Sequence, residues 1–419
     1  MPVTAQDVKF TLDLLNHPAV IYATVDAVTI IDDYTVKIRR KAGAGPDQLG
    51  WVYHLPKHVL EDLDPKKFWQ WDYWYHPAVS AGPYRFVRYA PQTLMEFETN
   101  PTYFRTKPRI ERVVLKFVAE GAGLNELMSG DIDVVKLANP AQIPAVAKDA
   151  RFRVYNKVEH FARAIYWKCD HPLFRDARVR RALTLAMDRR ALLGVLNLPG
   201  DLPITDGIFT ERQFLRRQFP EPLPYDPAQA RGLLEAAGWQ DHDGDGVRER
   251  DGQPFRFTAI VRGEQGLDRL AVYVQSQLRE VGLQMEVQVL DTGLVWDRFI
   301  RGDFEAVFNM HQPDPEQQQR DFGKSNRIGY QNPDMVRLTD QAVATGDPDE
   351  LDRIYHALTE ILQADLPVTR LVPWTWTSFA HRRVSGPGTP FLAMPDRYME
   401  DLWLENRDGT TVKSGSTGS

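Results

Sequence analysis

The chain has 419 residues, 43% of them hydrophobic and 26% charged, with a formal net charge of −6. That is enough for a buried core and, at roughly 100–200 residues per domain, for two or three domains. Arginines are spread along the chain with no basic block, which gives no electrostatic footprint for nucleic acid; a single cysteine, Cys169, excludes an intrachain disulfide.

No apolar run approaches the roughly 18 residues that span a bilayer; the best, Ala19 to Ile31, is broken by Asp26. The opening MPVTAQDVKF has no basic n-region and no apolar h-region, so no signal peptide is read in the chain as given.

Thr4 and Asp7 form a capping-box pattern, followed by Val8, Leu12 and Leu15 at helical spacing. Starting on a helix cap with no preceding strand reads as a cut N-terminus. Val28 to Ile30 and Tyr34 to Ile38 alternate around Asp32-Asp33 as a hairpin. An aromatic-rich stretch, Trp51 to Trp74, precedes a second hairpin, Tyr84–Phe86 with Met95–Phe97. A strand at Val113–Phe117 and a short helix, Leu124–Met128, closed by Gly130, complete this part.

From about residue 163 helices and strands alternate. Asp176 opens a helix with Val179, Ala182, Leu183, Ala186 and Met187 on one face. Asp226-Pro227 supplies an N-cap and an N1 proline, and Gly238 the stop. Phe255–Val261 reads as a strand, Leu267–Val281 as a helix ended by Gly282 and Met285–Leu290 as a strand. Val295–Ile300 follows as a helix and Phe304–Phe308 as a strand, a βαβαβ order that implies a sheet with crossover helices. Helices at Met335–Ala344 and Glu350–Ala364 and an extended stretch Val368–Phe379 lead to a Gly/Ser/Thr-rich end, Lys413–Ser419, read as disordered. No internal repeats are present.

Enzyme signatures are missing: no serine elbow, P-loop, dinucleotide Gly-rich turn or HExxH helix occurs. No cofactor is expected, and the reading is of a protein that is not an enzyme. His54 and His58 are separated by Pro56, which argues against a zinc-binding helix face. Cys169 beside Trp167 reads as packing. The loop Asp241–Gly252 places Asp241, Asp243 and Asp245 like the start of a calcium loop, but Gly252 stands where the bidentate glutamate belongs. It is a weak cation candidate whose competing reading is an Asp-capped turn.

Several segments in order resemble the family-5 extracellular solute-binding proteins, which include oligopeptide-, dipeptide- and nickel-binding members. These are PVTAQDVKFTL, LPKHVL (Leu55–Leu60), the Ser80–Phe104 stretch SAGPYRFVRYAPQTLMEFETNPTYF and LMSGDIDV (Leu127–Val134). PLFRDARVRRALTLAMDRRAL (Pro172–Leu192), YDPAQARGLLEAAGW (Tyr225–Trp239) and GYQNPDMVRLTDQA (Gly329–Ala342) continue the likeness, which runs to about residue 385.

The resemblance implies an α/β, two-lobed, periplasmic-binding-protein-like fold of class II type with mixed sheets. Lobe I is expected at 76–162 and 376–408, lobe II at 163–375, a remnant of an extra α+β domain at 1–75, and a disordered tail at 409–419. It implies a monomeric substrate-binding component of an ABC importer, periplasmic or extracellular, that closes two lobes around a peptide and presents it to membrane permease subunits. Other readings are the same fold taking nickel-chelate, opine or oligosaccharide ligands, and a truncated cytosolic regulatory protein or hydrolase.

The family's carboxylate for the peptide ammonium follows a lobe II strand. Here Asn309, His311 and Asp314 occupy that segment, and Asp314 is the matching candidate. Its competing reading is a solvated cap before Pro315. Lys168, where many members carry Asn, would meet a ligand carboxylate or lie on the surface. Trp167, Trp296, Trp374 and Trp376 would be pocket walls or core packing.

Overall fold

The computed structural model describes residues 2–17, 25–40, 53–119, 122–136, 142–208, 221–264, 266–386 and 402–405. The expected disordered tail lies outside them. The chain forms two compact units, one of residues 1–138, 144–157 and 376–419, the other of 139–143 and 158–375.

In the first unit the helix Ala5–Leu15 starts where the capping box places it, with Thr4 N–H donating to Asp7 Oδ2 at 2.8 Å. The strands Val25–Asp32 and Thr35–Arg40 form the expected antiparallel hairpin, and Val25 and Val28 pack on Leu12. The aromatic stretch folds into short helical turns whose Phe68 and Trp71 share a small core with Leu14, Leu55 and Leu60. A helix of only four residues, Lys57–Leu60, starts after Pro56, so His54 and His58 do not share a helical face. Tyr84–Ala90, Leu94–Thr99 and Arg112–Lys116 form a three-stranded antiparallel sheet.

In the second unit three parallel strands lie in the order Gln284–Leu290, Arg256–Arg262, Ala306–His311, joined through the helices Leu267–Glu280 and Thr292–Arg301. The last strand pairs antiparallel with Phe152–Trp167, from Ala306 opposite Trp167 to His311 opposite Ala162. Val368–His381 lies beyond it in the sheet order, and its far end pairs with Val134–Val135.

Period-2 alternation sends neighbouring residues to opposite faces. Ile165 and Trp167 join one core with Leu183, Leu234, Leu270 and Val274, while Ala164 and Tyr166 join another with Phe299, Met335 and Leu358. A strand buried on both faces reads as a continuous apolar run, which FARAIYW nearly is.

Among the described residues four helices of this unit begin on an Asx-Pro pair: Asp226-Pro227, Asp314-Pro315, Asn332-Pro333 and Asp347-Pro348. In each the side chain accepts a backbone N–H of the first turn and the proline fills a position whose own N–H would have no helical partner.

Some expected boundaries are displaced: the helix read at Val295–Ile300 spans Thr292–Arg301, and a strand moves as well. The strand read at Phe304–Phe308 runs instead over Ala306–His311 because its ladder with the neighbouring strand continues to Ala162. Asn309 and His311 are therefore strand residues. Among the described residues no helix is long and apolar enough to cross a membrane.

Candidate functional site

In parallel α/β sheets, ligands gather outside the carboxyl ends of the strands. In the second unit those ends are Arg262, Leu290 and His311, and two polar clusters sit near them.

The first is built on Arg163, opposite Met310 in the sheet register and only 1% exposed. Its Nη1 donates to Pro373 O at 2.8 Å, and its guanidinium carbon lies 4.6 Å from the Trp374 ring centroid. The guanidinium carbon of Arg262 lies 5.6 Å from the same indole. The Nε atoms of Arg163 and Arg262 are buried without a hydrogen-bond partner, and among the described residues no carboxylate forms an ion pair with Arg163. Burial, then the charges of Arg262 and Arg269, lower the Arg163 pKa to about 9. Burial also lowers that of Arg262, against the opposing charge of Glu264.

The second cluster surrounds His311, which is buried with its ring edge-on to Tyr166 and Phe322. Its Nε2 is 3.1 Å from Gln318 Nε2 and its Nδ1 3.3 Å from Arg370 Nη1. Burial, with Arg370 adding to it, holds the imidazole pKa well below its ordinary value, so the ring is neutral. Arg370 Nη1 also donates to the Ile208 carbonyl, while its Nε and Nη2 are buried without partners. Beside them Asp321, wholly buried, accepts from Tyr166 Oη at 2.9 Å and Gln317 Nε2 at 2.8 Å.

The sequence candidates divide around these clusters. Asn309 is buried within its strand, where its Oδ1 accepts the N–H of Met310 at 2.9 Å. Asp314 is the N-cap of the helix Pro315–Phe322: its Oδ1 accepts Gln317 N–H at 2.9 Å and lies 3.9 Å from Arg320. This is the geometry of the capping alternative, with the cap opening an α-helix.

Lys168 follows the other end of the Arg163 strand, roughly 16 Å away at ~3.3 Å per residue. Its Nζ donates to Arg327 O at 3.0 Å. It lines a cavity of about 590 Å³ beside the start of Ala306–His311, with His171, Arg298, Asp303 and Glu305. That cavity lies at the amino end of the strand, so we place the candidate site at the carboxyl end, where the unpaired buried donors are.

Trp167 is core: fully buried, its indole N–H donates to Thr369 Oγ1 at 2.9 Å. Trp296 is 51% exposed on the helix Thr292–Arg301 and lines neither polar cluster. Trp374 is buried with both guanidiniums near its ring, and Trp376 is half-buried and belongs to the first unit.

In the acidic loop Asp241 Oδ1 accepts Gly244 N–H at 2.8 Å, Asp243 Oδ1 accepts Asp245 N–H at 3.0 Å and Asp245 Oδ1 accepts Val247 N–H at 2.7 Å. These are the self-capping turns of the competing reading. The acids that converge are Asp241, Asp243 and Glu249, whereas Asp245 turns towards Arg256 at 3.7 Å. Cys169 is buried, and burial pushes its thiol up to about 12, so it stays protonated and non-nucleophilic.

Arg163, Arg262 and Arg370 escaped the sequence reading. Their signal is there: FARAIYW, TAIVRG and VTRLVPW each set one arginine into an apolar strand run, where an unpaired charge is costly.

Comparison with known proteins completes the picture. The family model described as "Bacterial extracellular solute-binding proteins, family 5 Middle" matches residues 1–326. The oligopeptide-binding protein AppA of Bacillus subtilis (strain 168) is 25% identical over 397 residues, covering 88% of this chain and 72% of that protein. The structure of AppA from Bacillus subtilis in complex with a nonapeptide superposes with a TM-score of 0.79 at 22% identity, covering 96% of this chain and 84% of that one. NikZ from Campylobacter jejuni in complex with Ni(L-His) gives a TM-score of 0.77 at 22% identity, covering 91% and 80%. The fold is thus the mixed α/β fold of the periplasmic peptide-binding proteins. The chain belongs to the bacterial extracellular solute-binding proteins of family 5.

Proposed function

We propose that this protein is the substrate-binding component of an ABC importer and that its solute is a peptide. The observation that carries the reading is the family match over residues 1–326, supported by the likeness to an oligopeptide-binding protein over 88% of the chain. The site would lie at the carboxyl ends of the parallel strands, where Arg163, Arg262 and Arg370 hold donors without acceptors. A solute supplying those acceptors would remove a desolvation penalty the protein carries alone.

In this reading residues 163–375 form one lobe, 76–162 with 376–408 the other, and 1–75 belong to an additional domain. The protein works as a monomer outside the cytoplasm, delivers its solute to membrane permease subunits and performs no covalent chemistry. Asn309, His311 and Trp374 remain its ligand neighbours.

Binding only to the native state stabilises it by RT ln(1 + [L]/Kd), about 2.7 kcal/mol at a hundredfold excess over Kd. A mixed tripeptide and pentapeptide library is expected to raise the thermal unfolding midpoint, with Ni(L-His) giving no shift. A shift with the chelate and none with any peptide would reverse the solute class.

The cap assignment of Asp314 makes a separate prediction. Asp314→Ala is expected to lower stability by about 1 kcal/mol through loss of the cap, with peptide affinity in calorimetry unchanged. Asp314→Asn keeps an accepting oxygen and is expected to be near wild type in both. A drop of tenfold or more in affinity for the asparagine variant would instead make Asp314 a partner of the peptide ammonium.

A further inference from the structure

We infer that Arg163 and Arg262 make this protein selective for anionic solutes, holding a ligand carboxylate beside the Trp374 indole. The inference rests on the solute-binding reading above and names the chemistry its site would select.

Arg163 is a guanidinium taken out of water with one carbonyl acceptor, Pro373 O, and one indole face to stabilise it. The neighbouring cations Arg262 and Arg269 repel it. Of the other buried arginines of the unit, Arg189 pairs with Asp206, Arg180 is met by three backbone carbonyls, and Arg370 shares the unpartnered state of Arg163 but, among the described residues, without an indole or a second guanidinium on the same ring. The acid that bears on Arg262 is Glu264, exposed and accepting from Thr292 Oγ1 at 2.8 Å. Two guanidiniums on one indole, each with a buried Nε lacking an acceptor, form an incomplete electrostatic group. A carboxylate completes it: it neutralises the repulsion and accepts charge-assisted bonds. Arg262 is only partly buried, so the pair reaches the surface at its strand end. A neutral amide supplies one acceptor but no charge, and an ammonium adds a third cation.

The test is calorimetry on the full chain with five probes: Ala-Ala-Ala as free acid, Ala-Ala-Ala amide, Ala-Glu-Ala amide, Ala-Lys-Ala amide and citrate. At least one peptide carrying a carboxylate is expected to bind about tenfold or more tighter than Ala-Ala-Ala amide, with the lysine amide weakest. Preference for the free acid alone assigns the peptide terminus, and preference for the glutamate amide alone assigns an acidic side chain. Arg163→Gln is expected to bring the ratio below about threefold. Should that variant not fold, Arg262→Gln, at the partly exposed position, carries the same comparison. Equal affinity for acids and amides, or a ratio that survives a folded Arg163→Gln, overturns the inference while leaving peptide binding intact. Citrate binding that Arg163→Gln weakens, with no peptide bound, retains the inference and overturns the peptide reading. Failure of all five probes overturns both.

Discussion

Replacing Asp206 by alanine is expected to destabilise the second unit by about 3–5 kcal/mol, among the largest effects of any single substitution in the chain. Asp206 and Arg189 form an ion pair whose side chains are 1% and 4% exposed. Asp206 Oδ2 also accepts Leu223 N–H at 2.6 Å, and Arg189 Nη2 donates to Leu223 O at 2.6 Å and Nη1 to Arg370 O at 3.2 Å. The pair thus ties the helix Arg189–Val195, the segments at 206 and 223, and the strand Val368–His381 into one polar joint inside an apolar surround. Removing the acid leaves a buried guanidinium with carbonyls alone, and most of the loss is that uncompensated charge rather than the worth of the pair. Urea unfolding reads the effect. Two outcomes separate the causes: Arg189→Met with Asp206→Leu together should recover most of the stability, because an apolar replacement has no charge to desolvate. A single Asp206→Ala variant within about 1 kcal/mol of wild type would show that water reaches Arg189.

The ion pair joins segments far apart in sequence, and a contrast between local and distant information explains what the sequence revealed. Ala5–Leu15, the two hairpins and the helices opening at Asp176, Asp226 and Leu267 were legible because caps, prolines and apolar spacing act within a few residues. The family resemblance was legible for a different reason, being carried by the order of many short segments. The site was not, and Asp314 shows why. Its Asx-Pro pair is the signal that opens the helix at Asp226, the family pattern points the same residue towards a ligand role, and only the fold shows that one of its carboxylate oxygens accepts Gln317 N–H. The strand before it was read two residues early, since its end depends on pairing with Ala162, about 150 residues away in the chain. Arg163 was passed over because a charge in an apolar run signals burial without saying what stands opposite. Its meaning comes from Trp374 and Arg262, on two other strands.

Acidification is expected to set two buried groups of the second cluster against each other. Asp321 is fully buried, and burial, against hydrogen bonds from Gln317 and Tyr166, raises its pKa from the ordinary carboxylate range to about 6. A raised folded-state pKa means that the native protein binds the proton more tightly than the unfolded chain. This contribution is fully present below about pH 4 and is lost as pH rises through about 6. Above that the native state holds a buried carboxylate, at a cost on the order of 3 kcal/mol. His311 has the opposite sign. Its depressed pKa keeps it neutral in the fold, so its contribution is present above about pH 6.5 and falls as the unfolded chain takes up the proton that the native ring refuses. Asp321→Asn keeps an acceptor for Tyr166 Oη and removes the charge. It is expected to gain on the order of 2–3 kcal/mol at pH 7 and little at pH 4, so the variant should lose stability on acidification more steeply than wild type. His311→Gln is expected to do the reverse, flattening the acid limb between about pH 6.5 and 4. Urea unfolding at unit steps from pH 4 to 8 distinguishes the two. If Asp321→Asn follows the wild-type curve at every pH, the carboxylate is hydrated in solution and the cluster is open to water.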